Sequence, residues 1–545
     1  MLKQNGNSAK AKIIRIFLIF CIALLAFSLF ADNNMELIWE QQGEFNQSEY
    51  GYSIASIDFN GDNIDDLVVG SDRWNPQGQP NTTAEGKIYF YWGGTNFDNI
   101  SDLTMDGSQY GFSTSLGRNL VNLGDINGDG YEDLGSRRLG NYPISGIRHF
   151  IEIYYGGLDC DTIPDFEHLI YFDDVESMTP LYPLGDVNGD GYDDAGYVII
   201  TRDTDVNQYY IIFGGETLEV EYWNTVGSGG MSIRGIGNIN NDEYDDFLIC
   251  FKDTENQLKH NVIIYGNTVI DTVLTDTLYS NIANFRPGGA YAGDFNGDGA
   301  DDFIGCWGAG EGTELWFGND ILSEVSDVHL NAYSDGGKGF DFGDLNNDGY
   351  SDIILGNPIW SNHRGKAYFF IGDENANGSI DLDIPCPAVV GTEFGTSVAV
   401  GDFNNDGFDD AAIGAPEDGY PIHEGKVYIY AGNNSLEETT PVGIHEEEIP
   451  VVEGIEFNAY PNPFNPTINF EIKAEGYDSL QIEIFNVKGQ RVEILLPSLF
   501  HSEFIEGREK VIWNAENQPS GVYLCKLVNI ETKVQLAVQK ITLLK

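Results

Sequence analysis

Asp402-Phe403-Asn404-Asn405-Asp406-Gly407-Phe408-Asp409-Asp410 is the stretch from which the rest of this chain is read. Side-chain oxygens fall at its first, third, fifth and ninth residues, and a glycine stands sixth. Hard cations such as Ca²⁺ take about six to eight oxygen ligands, and this stagger lets a short loop wrap one ion. The seventh residue, Phe408, adds its backbone carbonyl. Gly407 allows the sharp turn, because left-handed backbone angles cost glycine little. One copy is a weak signal, since Asp, Asn and Gly also cluster in ordinary turns. This chain has seven, the others beginning at Asp58, Asp125, Asp186, Asn238, Asp294 and Asp344. Six of them predict Ca²⁺ sites with these ligands: Asp58, Asn60, Asp62 and Asp66; Asp125, Asn127, Asp129 and Asp133; Asp186, Asn188, Asp190 and Asp194; Asp294, Asn296, Asp298 and Asp302; Asp344, Asn346, Asp348 and Asp352; Asp402, Asn404, Asp406 and Asp410. The copy at Asn238 is predicted to bind poorly. It lacks the first acid, and Glu243 replaces the turn glycine, where a left-handed conformation would be strained.

The chain carries 86 acidic and 28 basic residues, a formal net charge of -58. That argues against a nucleic-acid partner, which needs a basic surface. A disordered acidic chain is the other reading, but 41% hydrophobic and 13% aromatic content oppose it. Residues 1–31 read as a signal peptide, with Lys3, Lys10, Lys12 and Arg15 ahead of an apolar run from Ile16 to Phe30. An uncleaved anchor is the alternative. No later run is long enough to span a bilayer. The remaining cysteines, Cys160, Cys250, Cys306, Cys386 and Cys525, are scattered and odd in number, which suggests neither a disulfide framework nor a zinc site.

A second landmark recurs with the loops. Apolar-aromatic runs end in glycine at Gly93, Gly156, Gly214, Gly266, Gly318, Gly372 and Gly432, as in Lys87-Ile88-Tyr89-Phe90-Tyr91-Trp92-Gly93. Short apolar runs flank each loop, and a fourth fits before the next repeat. Four strands per unit and seven units predict an all-β chain whose first part, 32–432, is a seven-bladed β-propeller. A linear solenoid is the runner-up, but distinct capping repeats are missing. The last unit lacks its fourth strand, and Glu36-Leu37-Ile38-Trp39-Glu40-Gln41 is a spare one, so the N-terminus is expected to close blade seven.

The pattern resembles the FG-GAP repeats of the integrin α-subunit propeller. Phe394-Gly395 and Gly414-Ala415-Pro416 match the two name motifs around the seventh loop. Tyr50-Gly51, Tyr110-Gly111, Gly356-Asn357-Pro358 and Gly70-Ser71 are close variants. The resemblance implies the propeller and calcium between the first and second strands of several blades. It implies adhesion or ligand binding only at the level of fold.

Residues 433–454 read as an acidic linker, and 455–545 as a small immunoglobulin-like β-sandwich of alternating strands such as Leu480-Gln481-Ile482-Glu483-Ile484-Phe485. This tail resembles the C-terminal sorting domain of the type IX secretion system. The carriers are Tyr460-Pro461-Asn462-Pro463-Phe464-Asn465, Trp513-Asn514, Ser520-Gly521-Val522-Tyr523 and the closing Lys540-Ile541-Thr542-Leu543-Leu544-Lys545. The resemblance implies that the type IX machinery is a partner and that the protein is released from, or held at, the surface of a Gram-negative cell.

The eight histidines are dispersed, and neither HExxH nor GxSxG occurs. Paired acids such as Asp65-Asp66 and Asp409-Asp410 read as loop ends rather than acid/base pairs. The favoured function is a calcium-stabilised surface module binding an extracellular glycan or protein. The alternatives are a calcium-dependent polysaccharide-active enzyme and a purely structural scaffold. The segments between second and third strands vary most in length and hold Arg73, Trp74, Arg137, Arg138, Trp307, Trp360 and Arg364, which form the candidate ligand set on the face opposite the loops.

Overall fold

In a computed structural model, the described residues are 34–436 and 456–545, apart from 46, 77–83, 111–113, 143–145, 171–174, 202–207, 224–229, 253–258, 271–275, 279–288, 307–312, 319–325, 333–338, 389–390, 419–422, 474–479, 487–490, 496–502, 506–507, 517, 519 and 530–534. The expected signal stretch, most of the acidic linker and Trp307 therefore lie outside the described residues. The chain divides into two compact units, Met1–Thr439 and Thr440–Lys545.

The described part is all-β, with one short helical turn at Trp360–His363 and another at Gly107–Tyr110. The first unit holds seven antiparallel sheets, numbered here by the acidic loop each contains. Sheet 1 runs Tyr50–Ile57, Asp66–Ser71, Lys87–Tyr91 and Leu103–Asp106 in spatial order, each strand paired with the next. Sheets 2 to 6 repeat that path. In sheet 3 the extra strand Val175–Met178 shares Asp194–Thr201 with Tyr182–Gly185. Sheet 7 has Val398–Gly401, Asp410–Ala415 and Lys426–Ala431, and its fourth strand is Glu36–Gln42, paired from Glu36 opposite Ala431 to Gln42 opposite Lys426 with a one-residue register shift between Leu37 and Trp39. Trp39 anchors that strand, buried with its ring 5.4 Å from Tyr91 and its indole N–H on the Asp98 carbonyl.

First strands touch in sequence. Tyr50–Ile57 lies beside Leu120–Asn122, which lies beside Tyr182–Gly185. Gly230–Gly237, Gly289–Gly293, Phe340–Gly343 and Val398–Gly401 follow, and the last returns to Tyr50–Ile57. Second strands such as Asp66–Ser71, buried throughout, are covered on both faces and carry an apolar centre, here Leu67-Val68-Val69. Outer strands such as Leu382–Pro385 alternate between half-buried and exposed.

The landmark glycines have a steric cause. A Cβ on Gly93 would stand 2.2 Å from the Asp65 carbonyl, and one on Gly432 would stand 2.1 Å from that of Asp409. Glycines of neighbouring sheets interlock: a Cβ on Gly70, Gly356 or Gly414 would meet the carbonyl of Gly117, Gly395 or Gly51 at 1.9–2.2 Å, so in the second repeat Leu116-Gly117 takes the place expected of Tyr110-Gly111.

The second unit holds two four-stranded sheets over one apolar core. Glu456–Tyr460, Thr467–Lys473, Arg508–Asn514 and Glu503–Ile505 form one; Arg491–Leu495, Leu480–Asn486, Gly521–Asn529 and Gln535–Leu543 form the other. Phe470, Trp513, Ile482 and Leu527 meet in the core. The Tyr-Pro-Asn-Pro-Phe opening fastens the last strand. The Asn462 side chain bonds the Lys540 carbonyl and the Thr542 N–H, while Phe464 is buried 5.7 Å from Trp513.

Candidate metal loops and the opposite end

Each acidic loop joins the first strand of its sheet to the second. The second loop is representative. Asp125 accepts the N–H groups of Gly128, Asp129 and Gly130 at 2.7–3.0 Å, and Asp129 accepts that of Tyr131 at 3.1 Å. These bonds fix the backbone of the loop around the first acid. The ninth residue, Asp133, is fully buried, and its oxygens take the N–H of the landmark Gly156 and of Ile126. Asp66, Asp194, Asp246, Asp302, Asp352 and Asp410 each accept their own landmark glycine in the same way. The ninth acid is thus first a staple between the loop and the third strand.

Asn127, Asn188, Asn296 and Asn346 each donate a side-chain N–H to the fifth acid of the same loop, while Asn60 and Asn404 donate to the ninth. The carboxylates of one loop do not converge: among the described residues no three acidic, His or Cys side chains form a group that could hold a metal. A cation in these loops would have to displace the asparagine N–H from the acid it faces. Two observations fit a cation. The donor set is all oxygen. The buried ninth acids are also held up, to about 8 at Asp66, Asp133, Asp194 and Asp302 and to about 7 at Asp410, by desolvation first and by the other loop acids. A bound cation would relieve that penalty.

The fourth loop corrects one expectation. Glu243 is not among the residues with positive φ, whereas Asn63, Gly130, Gly191, Gly299, Gly349 and Gly407 all are. In those loops the first acid accepts the sixth N–H. Asn238 instead donates its amide to the Asp242 carbonyl at 2.8 Å, so the following peptide turns the other way and Glu243 carries no left-handed strain. The two departures compensate each other.

The eighth residue was read only as part of a loop end, and its role was missed. Glu132, Asp193, Asp245 and Asp301 each accept the first N–H of the loop before them, at Asp58, Asp125, Asp186 and Asn238, over 2.7–2.9 Å. Asp409 does this for Asp344, and Asp65 does it for Asp402, joining sheet 1 to sheet 7. At the remaining junction, where Ser351 stands eighth, the Ser351 N–H bonds the Asp294 carbonyl. The doubled acid was the available signal.

The expected ligand set is not brought together. Arg73 is exposed and pairs with the buried Glu49 at 2.6 Å. Trp74 is buried and donates to Glu44. Arg138 is buried between Glu152 and Glu167, 4.0 Å from the rings of Tyr110 and Phe150. Arg364 donates to the Cys386 and Ala388 carbonyls, and Lys366 lies 4.4 Å from the Trp360 ring. Arg137 is half-buried and donates to the Met178 carbonyl.

Comparison with known proteins follows this geometry. The FG-GAP repeat family matches residues 50–91 and 394–430, an FG-GAP-like repeat matches 294–355, and a secretion system C-terminal sorting domain matches 458–542. Integrin alpha-4 of Xenopus laevis is 30% identical over 171 residues, 30% of this chain and 16% of that protein. Integrin alpha-7 of Mus musculus is 40% identical over 104 residues, 17% of this chain and 8% of that protein. Phosphatidylinositol-glycan-specific phospholipase D of Bos taurus is 40% identical over 103 residues, 16% of this chain and 12% of that protein. The matched part is thus a small fraction of each relative's length. The sorting domain marks export by type IX secretion, to the extracellular space or the outer surface. No helix among the described residues is long and apolar enough to cross a membrane. The chain thus carries FG-GAP repeats over residues 50–91 and 394–430, an FG-GAP-like repeat over 294–355 and a secretion system C-terminal sorting domain over 458–542, and its repeats are similar to those of integrin alpha chains.

Proposed function

We propose that this protein is a secreted, calcium-stabilised binding module. Residues 32–432 form a seven-bladed propeller, and 455–545 form an immunoglobulin-like sandwich presented to the type IX machinery after a 433–454 linker. The observation that carries the propeller is the closing bond from the Asp402 N–H to Asp65, at the end of a series that links consecutive loops. The first, third, fifth and ninth residues of six loops are the Ca²⁺ donors. Calcium neutralises acids that otherwise repel one another next to the sheet junctions. The rigid ring then displays its opposite end to an extracellular glycan or protein. Calorimetric calcium titration with elemental analysis should find about six ions, and EDTA should lower both the melting temperature and binding to a glycan array. A melt unchanged after complete calcium removal would refute the calcium role. Array binding by neither form would refute the glycan-binding reading.

A further inference from the structure

At the end of the first unit opposite the acidic loops, neighbouring sheets interlock through glycines placed four residues after the ninth loop acid: Gly70 after Asp66, Gly356 after Asp352 and Gly414 after Asp410. Sheets 2 to 5 depart from this rule, with Val198, Cys250 and Cys306 at that position in sheets 3 to 5 and the charged Arg137 in sheet 2. The side chain reaches sheet 3, donating from Nη1 to the Met178 carbonyl at 2.7 Å. Its surroundings are cationic and aromatic. Arg137 is held down to about 10, by burial first and then by repulsion from Arg118, and Tyr182 and Tyr52 are among its neighbours. His149, buried beside Arg137 and Arg118, is pushed down to about 3 by desolvation and then by those two charges, so it stays neutral. Arg234, on the first strand of sheet 4, lies 3.7 Å from the Tyr182 ring centroid, and Arg118 lies 5.6 Å from that of Tyr52.

Charge is scarce on this side of the balance. Only 28 basic residues face 86 acidic ones. Among the described residues, the carboxylate paired with these three guanidinium groups is Asp72, 3.9 Å from Arg118. Asp72 is itself shared with Glu49 and Arg73. The Nε atoms of Arg137 and Arg234 are buried and have no hydrogen-bond partner among the described residues. Buried donors without acceptors are costly, and the planar guanidinium fork matches a planar anion.

We propose that Arg118, Arg137 and Arg234, oriented by Tyr52 and Tyr182, bind the carboxylate of an acidic sugar at this end of the repeat unit. The guanidinium fork matches a carboxylate bidentately. The tyrosines offer flat faces and hydroxyl groups to a pyranose ring. Arg137, Arg234, Tyr52 and Tyr182 are half-buried, so part of each side chain reaches solvent. The proposal rests on reading the protein as an extracellular binding module and names the ligand class of that module.

The test uses the full mature chain in calcium, with trigalacturonic acid as probe and galactotriose as neutral control. Calorimetry should detect the acidic trimer only, with affinity falling as salt rises. Arg137→Gln with Arg234→Gln should weaken binding at least tenfold while array binding of other glycans and the melt remain. In the wild type, the trimer should protect Arg137 and Arg234 from phenylglyoxal, read by peptide mass, which does not depend on any variant folding. Equal binding by the double variant, or unprotected arginines, overturns the site. Binding of a poly-glutamate peptide in place of the trimer also overturns it. If the wild type binds array glycans but no acidic sugar, this site falls and the binding module stands; if it binds nothing on the array, both fall.

Discussion

The two ends of the repeat unit are built to different rules. At the loop end, an eighth-residue acid clamps the preceding loop at six of the seven junctions, and every described landmark glycine answers to a ninth acid. At the other end, the glycine interlock is present between sheets 7 and 1, 1 and 2, and 6 and 7. The polar end is therefore the uniform one and the apolar, glycine-packed end is the variable one. Clamps made of backbone N–H and short acids tolerate changes in neighbouring side chains, whereas a glycine interlock is lost when one residue gains a Cβ. Diversity in this protein is thus concentrated where a single substitution, such as Arg137, opens space.

Deleting residues 34–42 should break the comparison most severely, because it strips sheet 7 of its outer strand at both ends together. Losing the burial of Trp39 alone is worth about 3–5 kcal/mol, and the bared Lys426–Ala431 edge invites association. Light scattering and a thermal melt decide; an equally stable monomer would mean the strand is dispensable. Next in size is the staple. Asp410→Ala leaves the Gly432 N–H and the Asn404 amide without acceptors in a buried place, about 1–3 kcal/mol each. His363→Ala, at the opposite end in an exposed pair with Glu393, should stay within about 0.5 kcal/mol. Denaturant unfolding of both variants would erase the contrast if the losses came out equal.

The fourth loop sharpens it further. Asn238→Asp alone sets a carboxylate against the Asp242 carbonyl and should cost about 1 kcal/mol, while Asn238→Asp with Glu243→Gly should recover stability and add one Ca²⁺ per chain. An unchanged metal count in the double variant rules that out. The smallest effect is a pH dependence. Glu49 is held up to about 8, by burial first and then by the charge of Asp72. The folded chain therefore holds this proton more tightly than the unfolded one. The contribution is complete below the ordinary carboxyl range and is lost as pH rises through about 8. Glu49→Gln should flatten stability against pH over that window even in saturating calcium, whereas the loop acids should respond to calcium. Parallel curves for variant and wild type would remove Glu49 from the account.

The loops, the strands beside them and the tail motifs were legible because they depend on local chemistry: oxygen spacing, alternation, and turns that need glycine. What one residue does for another sheet was not. Asp65 and Asp66 look equivalent in sequence, yet one holds the neighbouring loop and the other its own third strand. Trp74 and Arg138 read as surface ligands because tryptophan and arginine in long connections often are, but Glu44 and Glu152 draw them inward. Glu243 read as strained because the loop was assumed to keep its backbone when its first acid became an amide. Counting four residues from each ninth acid gives glycine in sheets 1, 6 and 7 and Arg137, Val198, Cys250 and Cys306 in the others, a comparison that becomes meaningful only once the interlocked glycines are seen.

The pairing of Glu36–Gln42 with Lys426–Ala431 also sets a timetable. The strand made first must wait for almost the last residues of its own unit. At about 5–20 residues per second, synthesis of the intervening chain takes roughly 20–80 s. Through that interval its apolar edge, with Leu37 and Ile38 still partly exposed even in the finished sheet, has no partner. Sheet 7 cannot be completed while its far end is still being made, so the last junction of the repeat unit closes only after its final strand has emerged.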